Sequence, residues 1–182
     1  MTSVRLVIAG QDDKGKSHIA VNEMRQGTSF TLMPPEFQLI PLWHTDGPTT
    51  VPAEVPIQSP MPKFYPAPDG VRFGISVHPP DASPARSLDE AEQIVAQAEL
   101  EEQAPGLLSY YDPHTEGFHQ TDTIDFITVL DGVLHVETED GEITELPAGT
   151  CFVQTGTRHA WHNYTDKPVT TVSVKIGARR IG

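Results

Sequence analysis

Two imidazoles and one carboxylate, His119, Asp125 and His159, sit among short apolar runs in GFHQTDTIDFITVLDGVLHVETEDGEITELPAGTCFVQTGTRHAWHN, residues 117–163. Two histidines and a carboxylate can hold non-haem iron with open positions for substrate and oxygen. The same donors suit zinc or manganese. Without an ion, His119 or His159 is a candidate general base near neutral pH. Thr121, Thr123, Trp161 and Asn163 add hydroxyls, an indole and an amide that would orient a small substrate.

Such side chains need a rigid frame, and the surrounding residues specify strands. DFITVL and VLHVET are β-branched runs separated by Asp131-Gly132, the signature of a type I′ hairpin. Turn signals at Asp140-Gly141 and Pro147-Ala148-Gly149 lead on to CFVQ and HAWHN. The expectation is an antiparallel meander that hides its edges by curling into a small barrel. Period-two alternation puts His119, Thr121, Thr123 and Asp125 on one face, continued by Ile127 and Val129. It groups His159, Trp161 and Asn163 on another strand. Polar groups facing inward are costly unless paired or bound to something, so the barrel mouth reads as a ligand site. His114 and His162 are reserve ligands, although alternation turns His162 outward. His135 reads as surface, and Cys151 as packing rather than nucleophile.

The stretch resembles the cupin superfamily, whose first motif is G(x)5HxH(x)3-4E(x)6G and whose second ends G(x)2H(x)3N. His119, Thr121, Asp125 and Gly132 occupy the first pattern, and Gly156, His159 and Asn163 the second. Thr121 stands where the family has a second histidine, Asp125 where it has Glu, and Gly117 lies closer to His119 than the leading glycine. The HxTDTxD run, the GTxHAWxN run and the opening VIAG-x-D-x-x-GKS are similar to small single-domain cupins of bacteria and fungi. Some of those are oxidoreductases of aromatic polyketide pathways. The resemblance implies an all-β, cupin-like antiparallel barrel (double-stranded β-helix, or jelly roll) with one short helix and an extended N-terminal arm. It also implies a metal held by His119, Asp125 and His159. On a straight strand His119 and Asp125 would lie roughly 20 Å apart, so sharing an ion requires the chain to bend between them.

Length and composition set the outer limits. A chain of 182 residues suggests one domain. Residues 1–86 would form N-terminal strands and a proline-rich arm, 87–104 a helix, and 107–177 the barrel core. A net charge of −13 argues against nucleic acid or an anionic membrane as partner. The single cysteine, Cys151, excludes an internal disulfide and fits a reducing compartment. No signal peptide or membrane-spanning run is evident, so a cytoplasmic protein is expected.

The remaining segments give lesser expectations. Residues 4–9, 18–23, 37–43 and 71–78 read as strands. Most of the 17 prolines fall between Pro34 and Pro84, in a stretch that would wrap the barrel or reach a second subunit. His44 and His78, at strand ends, read as solvated or singly bonded. Gly10 to Ser17 matches the P-loop pattern GxxxxGK[ST], but Asp12 and Asp13 oppose an anion there, and an exposed hairpin turn is the better reading. Ser87-x-x-Glu90 reads as a capping box for a helix whose apolar stripe is Leu88, Ala91, Ile94, Val95 and Ala98.

Two functions remain open. One is a metal-dependent enzyme (oxidoreductase, dehydratase or isomerase) acting on a small organic molecule, aromatic or of polyketide type among the candidates, with His119 and His159 catalytic. The other is a non-catalytic module that holds a metabolite. A homodimer is expected.

Overall fold

The computed structural model describes residues 2–53, 63–84, 86–115 and 117–181. The part of the proline-rich arm at 54–62 lies outside the described residues. Among the described residues, ten strands and one helix follow in the order β1 (Ser3–Gln11), β2 (Ser17–Gln26), β3 (Gln38–Thr45), β4 (Val71–His78), α1 (Glu90–Gln103), β5 (Thr123–Asp131), β6 (Val133–Thr138), β7 (Ile143–Pro147), β8 (Cys151–Thr155), β9 (His159–His162) and β10 (Val169–Gly177).

The strands form an all-β jelly-roll arrangement of antiparallel sheets. β3-β4-β10-β5-β8 make a five-stranded sheet, β7-β6-β9 a three-stranded one, and β1-β2 a separate hairpin. Hydrogen bonding does not close these sheets into one continuous barrel among the described residues. Val129, Leu134, Val136, Leu146 and Val169 fill the core between the two larger sheets. Burying each of these side chains contributes about 1.5–3 kcal/mol.

Asp131-Gly132 is not the hairpin turn its sequence suggests. β5 pairs with β10 and β8 while β6 pairs with β7 and β9, so the chain crosses there from one sheet to the other. Only Gly132 has positive φ, +85°, whereas a type I′ turn needs it at both central residues. A Cβ at Gly132 would also lie 2.9 Å from Val169 Cγ2, so the crossing requires glycine twice over. Asp140-Gly141 does join a true hairpin, β6 to β7.

The glycine-rich turn between β1 and β2 is closed on itself. Lys14 and Lys16 backbone N–H groups donate to Asp12 Oδ1, and β2 rather than a helix follows. Its donors are turned to a carboxylate, so this is the expected hairpin turn and not a phosphate cradle.

Helix α1 departs from its expected cap and face. Asp89, not Ser87, is the N-cap, in a reciprocal capping box with Glu92. Ala96, Leu100 and the C-cap Ala104 are buried, and Leu100 and Ala104 pack with Phe30, Leu39 and Leu107. The stripe that included Ile94 and Val95 points outward, those two being 65% and 69% exposed. The small Ala96 and Ala104 let the helix sit close to its support, which outweighs the larger apolar area of the other face. No helix among the described residues is long and apolar enough to cross a membrane.

At the end of the large sheet Arg72, 4% exposed, ties β3 to β4. Its guanidinium donates to the carbonyls of Lys63, Thr45 and Val71 and to Asp46 Oδ1 at 2.7 Å. Pro41 is tolerated because β3 is an edge strand whose register shifts between Pro41 and Trp43.

Candidate active site

The chain does bend between His119 and Asp125. His119 lies before β5 and forms an isolated antiparallel bridge with His159, each residue's N–H donating to the other's carbonyl at 3.0 and 3.1 Å. Arg180 pins this bend, with Nε to Asp122 Oδ1 at 2.7 Å and Nη2 to the Thr121 carbonyl at 3.0 Å. Across the bridge Arg158 bonds Asp112 Oδ2 at 2.6 Å and lies over the Phe118 ring. The two imidazole centroids come within 4.4 Å, and Tyr111 stacks on His119 at 4.7 Å.

Both rings have one nitrogen committed. His119 Nδ1 lies 3.1 Å from the Gly117 carbonyl and His159 Nδ1 lies 3.0 Å from the Thr157 carbonyl. A carbonyl only accepts, so Nδ1 of His119 carries the hydrogen; at His159 the Thr157 carbonyl at 3.0 Å outweighs the Gln154 amide nitrogen at 3.4 Å and places it there too, leaving Nε2 as the lone-pair nitrogen of both. Among the described residues neither Nε2 has a hydrogen-bond partner. Burial, then the neighbouring His159, lowers the His119 pKa to about 4, against the pull of the Gly117 carbonyl. Burial also lowers that of His159, while Thr157 and Asp125 oppose it. At neutral pH both rings are uncharged.

A cavity of about 640 Å³ opens beside this pair, between the sheets and the 30s segment. Phe37, Phe64, Tyr65, Tyr111 and Trp161 give it aromatic walls, and His119, Asp125 and Lys175 are its chemically active lining. Lys175 was not foreseen from sequence. It lies directly opposite Asp125 across the β10/β5 ladder. Its ammonium donates to Ser173 Oγ at 3.1 Å and lies 4.9 Å from the Phe64 centroid. Burial holds it below the usual lysine range although Asp125 pulls the other way. Burial raises Asp125, with Lys175 and the Thr123 hydroxyl opposing.

Other expected site residues have different surroundings. Thr121 and Thr123 are 1% and 2% exposed, their hydroxyls 2.7 Å apart, and they lie behind the cavity lining rather than in it. Asn163 reaches the lining, but its amide donates to the His78 and Lys167 carbonyls and accepts from Thr165, so it fastens loops. Trp161 lines the wall and packs edge-on against Phe152 and His159. His159 is 3% exposed and stands behind His119.

The remaining histidines divide. His78 lines the cavity with Nε2 3.1 Å from Thr171 Oγ1, and burial brings its pKa to about 4. His162 reaches the rim, bonded to Glu137 Oε2 at 2.8 Å, so it does not turn fully outward. His114 is exposed. Cys151 is exposed on the edge strand β8, so it does not pack as expected.

A metal was the sequence expectation, and the donors can be tested against it. Free Nε2 atoms and a buried, unpartnered Asp125 Oδ1 are the right chemistry. Their placement is not: among the described residues no three His, Cys, Asp or Glu side chains come together closely enough to hold an ion. Thr121, at the position where the family places its second histidine, bonds Thr123 instead. As arranged, the set does not fit a three-donor metal centre.

Two facing antiparallel sheets around a ligand-sized cavity, with polar groups converging at one wall, define a jelly-roll fold with a concave interior. Residues 108–175 match the family model described as the cupin domain. The chain is also similar to the oryzines biosynthesis cluster protein J of Aspergillus oryzae, 43% identical over 54 residues, which is 29% of this chain and 30% of that protein. The chain is therefore aligned with less than a third of that relative. Among solved structures, the cupin domain of Cnp3 from Schizosaccharomyces pombe has TM-score 0.47 at 7% identity, covering 95% of this chain and 87% of that one. A cupin 2 conserved barrel domain protein from Salinispora arenicola has TM-score 0.42 at 11% identity, covering 82% of each chain.

Proposed function

We propose that this chain is an enzyme that holds a small ring-bearing molecule in the cavity and moves a proton at His119 Nε2. The observation that carries this reading is the bond from His119 Nδ1 to the Gly117 carbonyl, which leaves an uncharged lone pair at a cavity-lining residue. His159 positions His119 through their backbone bridge and lowers its proton affinity. A base this weak can take a proton from an enolisable carbon or a phenol only where the anion that forms is stabilised, and the Lys175 ammonium lines the same cavity. The fitting reaction class is isomerisation or dehydration: His119 takes a proton from carbon, then returns it to another carbon or to a departing hydroxyl. The cluster role of the fungal relative agrees with a small organic substrate.

Tetralone, an enolisable ring ketone, tests this without a known substrate. Wild-type protein should speed deuterium exchange next to its carbonyl, followed by NMR, and His119→Ala should bind the ketone yet lose the exchange. The low basicity of His119 also favours a second reading, a non-catalytic module. Binding with no exchange in either protein would select it.

No step here passes through an ion. Stoichiometric iron, zinc or manganese in untagged protein, lost in His159→Ala, would overturn the metal-free reading and restore His119, Asp125 and His159 as ligands. We also propose a homodimer, supported by exposed apolar side chains on the outer sheet face and on the hairpin, where Val7, Ile19 and Met24 are 49–58% exposed. Sedimentation of a monomer alone at micromolar concentration would refute it.

A further inference from the structure

We infer that Lys175 and Asp125 form a seat for one hydroxyl group of a hydroxylated aromatic ligand, and that this seat selects against carboxylates. The inference rests on the proposed small-molecule reading and names its ligand class.

The two side chains face each other from neighbouring strands and both line the cavity, yet they do not close to an ion pair. The Lys175 ammonium has three hydrogens, and its one hydrogen bond among the described residues goes to Ser173 Oγ. Asp125 Oδ1 is buried with no hydrogen-bond partner among the described residues. Spare donors thus share one face with a spare acceptor, which a small turn of the Asp125 carboxylate about its last torsion would present to the cavity. A group that completes both must accept from one side and donate to the other. A hydroxyl does this; a carboxylate can only accept, and it would bring a second negative charge against Asp125. A ketone would satisfy Lys175 alone. An apolar ring would leave both groups unmet, which is costly in a buried site. The walls select the rest of the molecule. Phe64 lies under the ammonium, and Phe37, Tyr65, Tyr111 and Trp161 offer ring faces and edges to an aromatic body.

Naphthol, naphthoate and naphthalene separate these contributions, because they share one ring system and differ at one substituent. Calorimetric titration should show naphthol bound at least about tenfold more tightly than naphthalene, and more tightly than naphthoate. In Lys175→Met and in Asp125→Asn the preference for naphthol over naphthalene should shrink to a few-fold, with naphthalene affinity unchanged as the sign that the cavity is intact. Asp125→Asn should also tighten naphthoate. Ser173→Ala gives a milder check, since it frees the ammonium while leaving both seat groups in place, and should weaken naphthol by a few-fold. Naphthoate binding best to the wild type would overturn the inference and make Lys175 an anion site. Equal affinity for naphthol and naphthalene would overturn it as well, a retained water then being the occupant. If none of the three binds, the small-molecule reading of the cavity falls together with the seat.

Discussion

The two faces of the five-stranded sheet reverse the usual pattern. On the inner face of β5 and β10 are Thr123, Asp125, Thr171, Ser173 and Lys175 beside Ile127 and Val129. Facing away are Ile124, Phe126, Val153 and Ile176, 38–50% exposed. Polar groups inside and apolar groups outside both raise the free energy of an isolated chain. The inner face recovers part of that cost through its own hydrogen bonds and the rest by binding a ligand. The outer face recovers it only by being covered, which is the physical ground for the proposed homodimer.

Adjacent residues of one strand give the largest expected contrast. Ile127→Ala removes a buried side chain from the cavity wall and should cost about 2–5 kcal/mol in chemical denaturation. Phe126→Ala, next along the chain but half exposed, should cost about 1 kcal/mol or less when the protein is dilute and monomeric. At concentrations where dimers form, its cost should rise. A Phe126 effect as large as that of Ile127 at every dilution would break the comparison, because the outer face would then be covered by the chain itself.

Acid should act on the inner face and leave the apolar outer face untouched. His78 and His119 titrate near 4 when folded and near 6.5 when unfolded, so between these values the unfolded chain binds more protons. Stability should therefore be at its plateau above about pH 6.5 and fall as pH drops toward 4, by on the order of 3 kcal/mol from His119. Asp125, raised by burial, opposes this: above its unfolded value it holds its proton longer when folded. The groups around them (Lys175, Asp81 and His159) set the rest of the balance. His119→Gln should flatten the slope of melting temperature against pH, whereas Phe126→Ala should leave it unchanged. An unaltered slope in His119→Gln would mean that the imidazole is solvated.

Period-two reading found β5 and its inward set because Ile127 and Val129 share a face with Asp125. The same rule hides Lys175, since in VTTVSVKIG the apolar Val172, Val174 and Ile176 look like the inward set and prove to be the outward one. Binary patterning assumes that the core is the only apolar neighbour, and a sheet with a polar cavity and an uncovered back violates that assumption. The two imidazoles were legible because motif spacing stood in for the bend at 119–122, which local propensity does not encode. Placement of Asp125 relative to them depends on side-chain geometry across three strands, beyond any spacing rule. Helix α1 failed similarly: its two possible stripes differ little in sequence, and the docking partners Phe30, Leu39 and Leu107 decide between them.

The smallest effect sharpens the comparison most. Thr123→Val keeps the shape of a 2% exposed residue but deletes a hydroxyl that lies 2.7 Å from Thr121 Oγ1 and supports Asp125. It should cost about 1–2 kcal/mol, because the orphaned Thr121 hydroxyl is too deep to find water. Val153→Thr makes the reverse exchange on the outer face, at a half-exposed position opposite Phe126, where water can hydrate the new hydroxyl. It should shift stability by about 0.5 kcal/mol or less in the monomer. The two variants exchange the same pair of side chains in opposite directions. A difference between their costs of free energy thus reports what each face demands of a hydroxyl. Equal small costs would show that the Thr121–Thr123–Asp125 row is hydrated, and the inner face would then lose its claim to be a dry, preorganised wall.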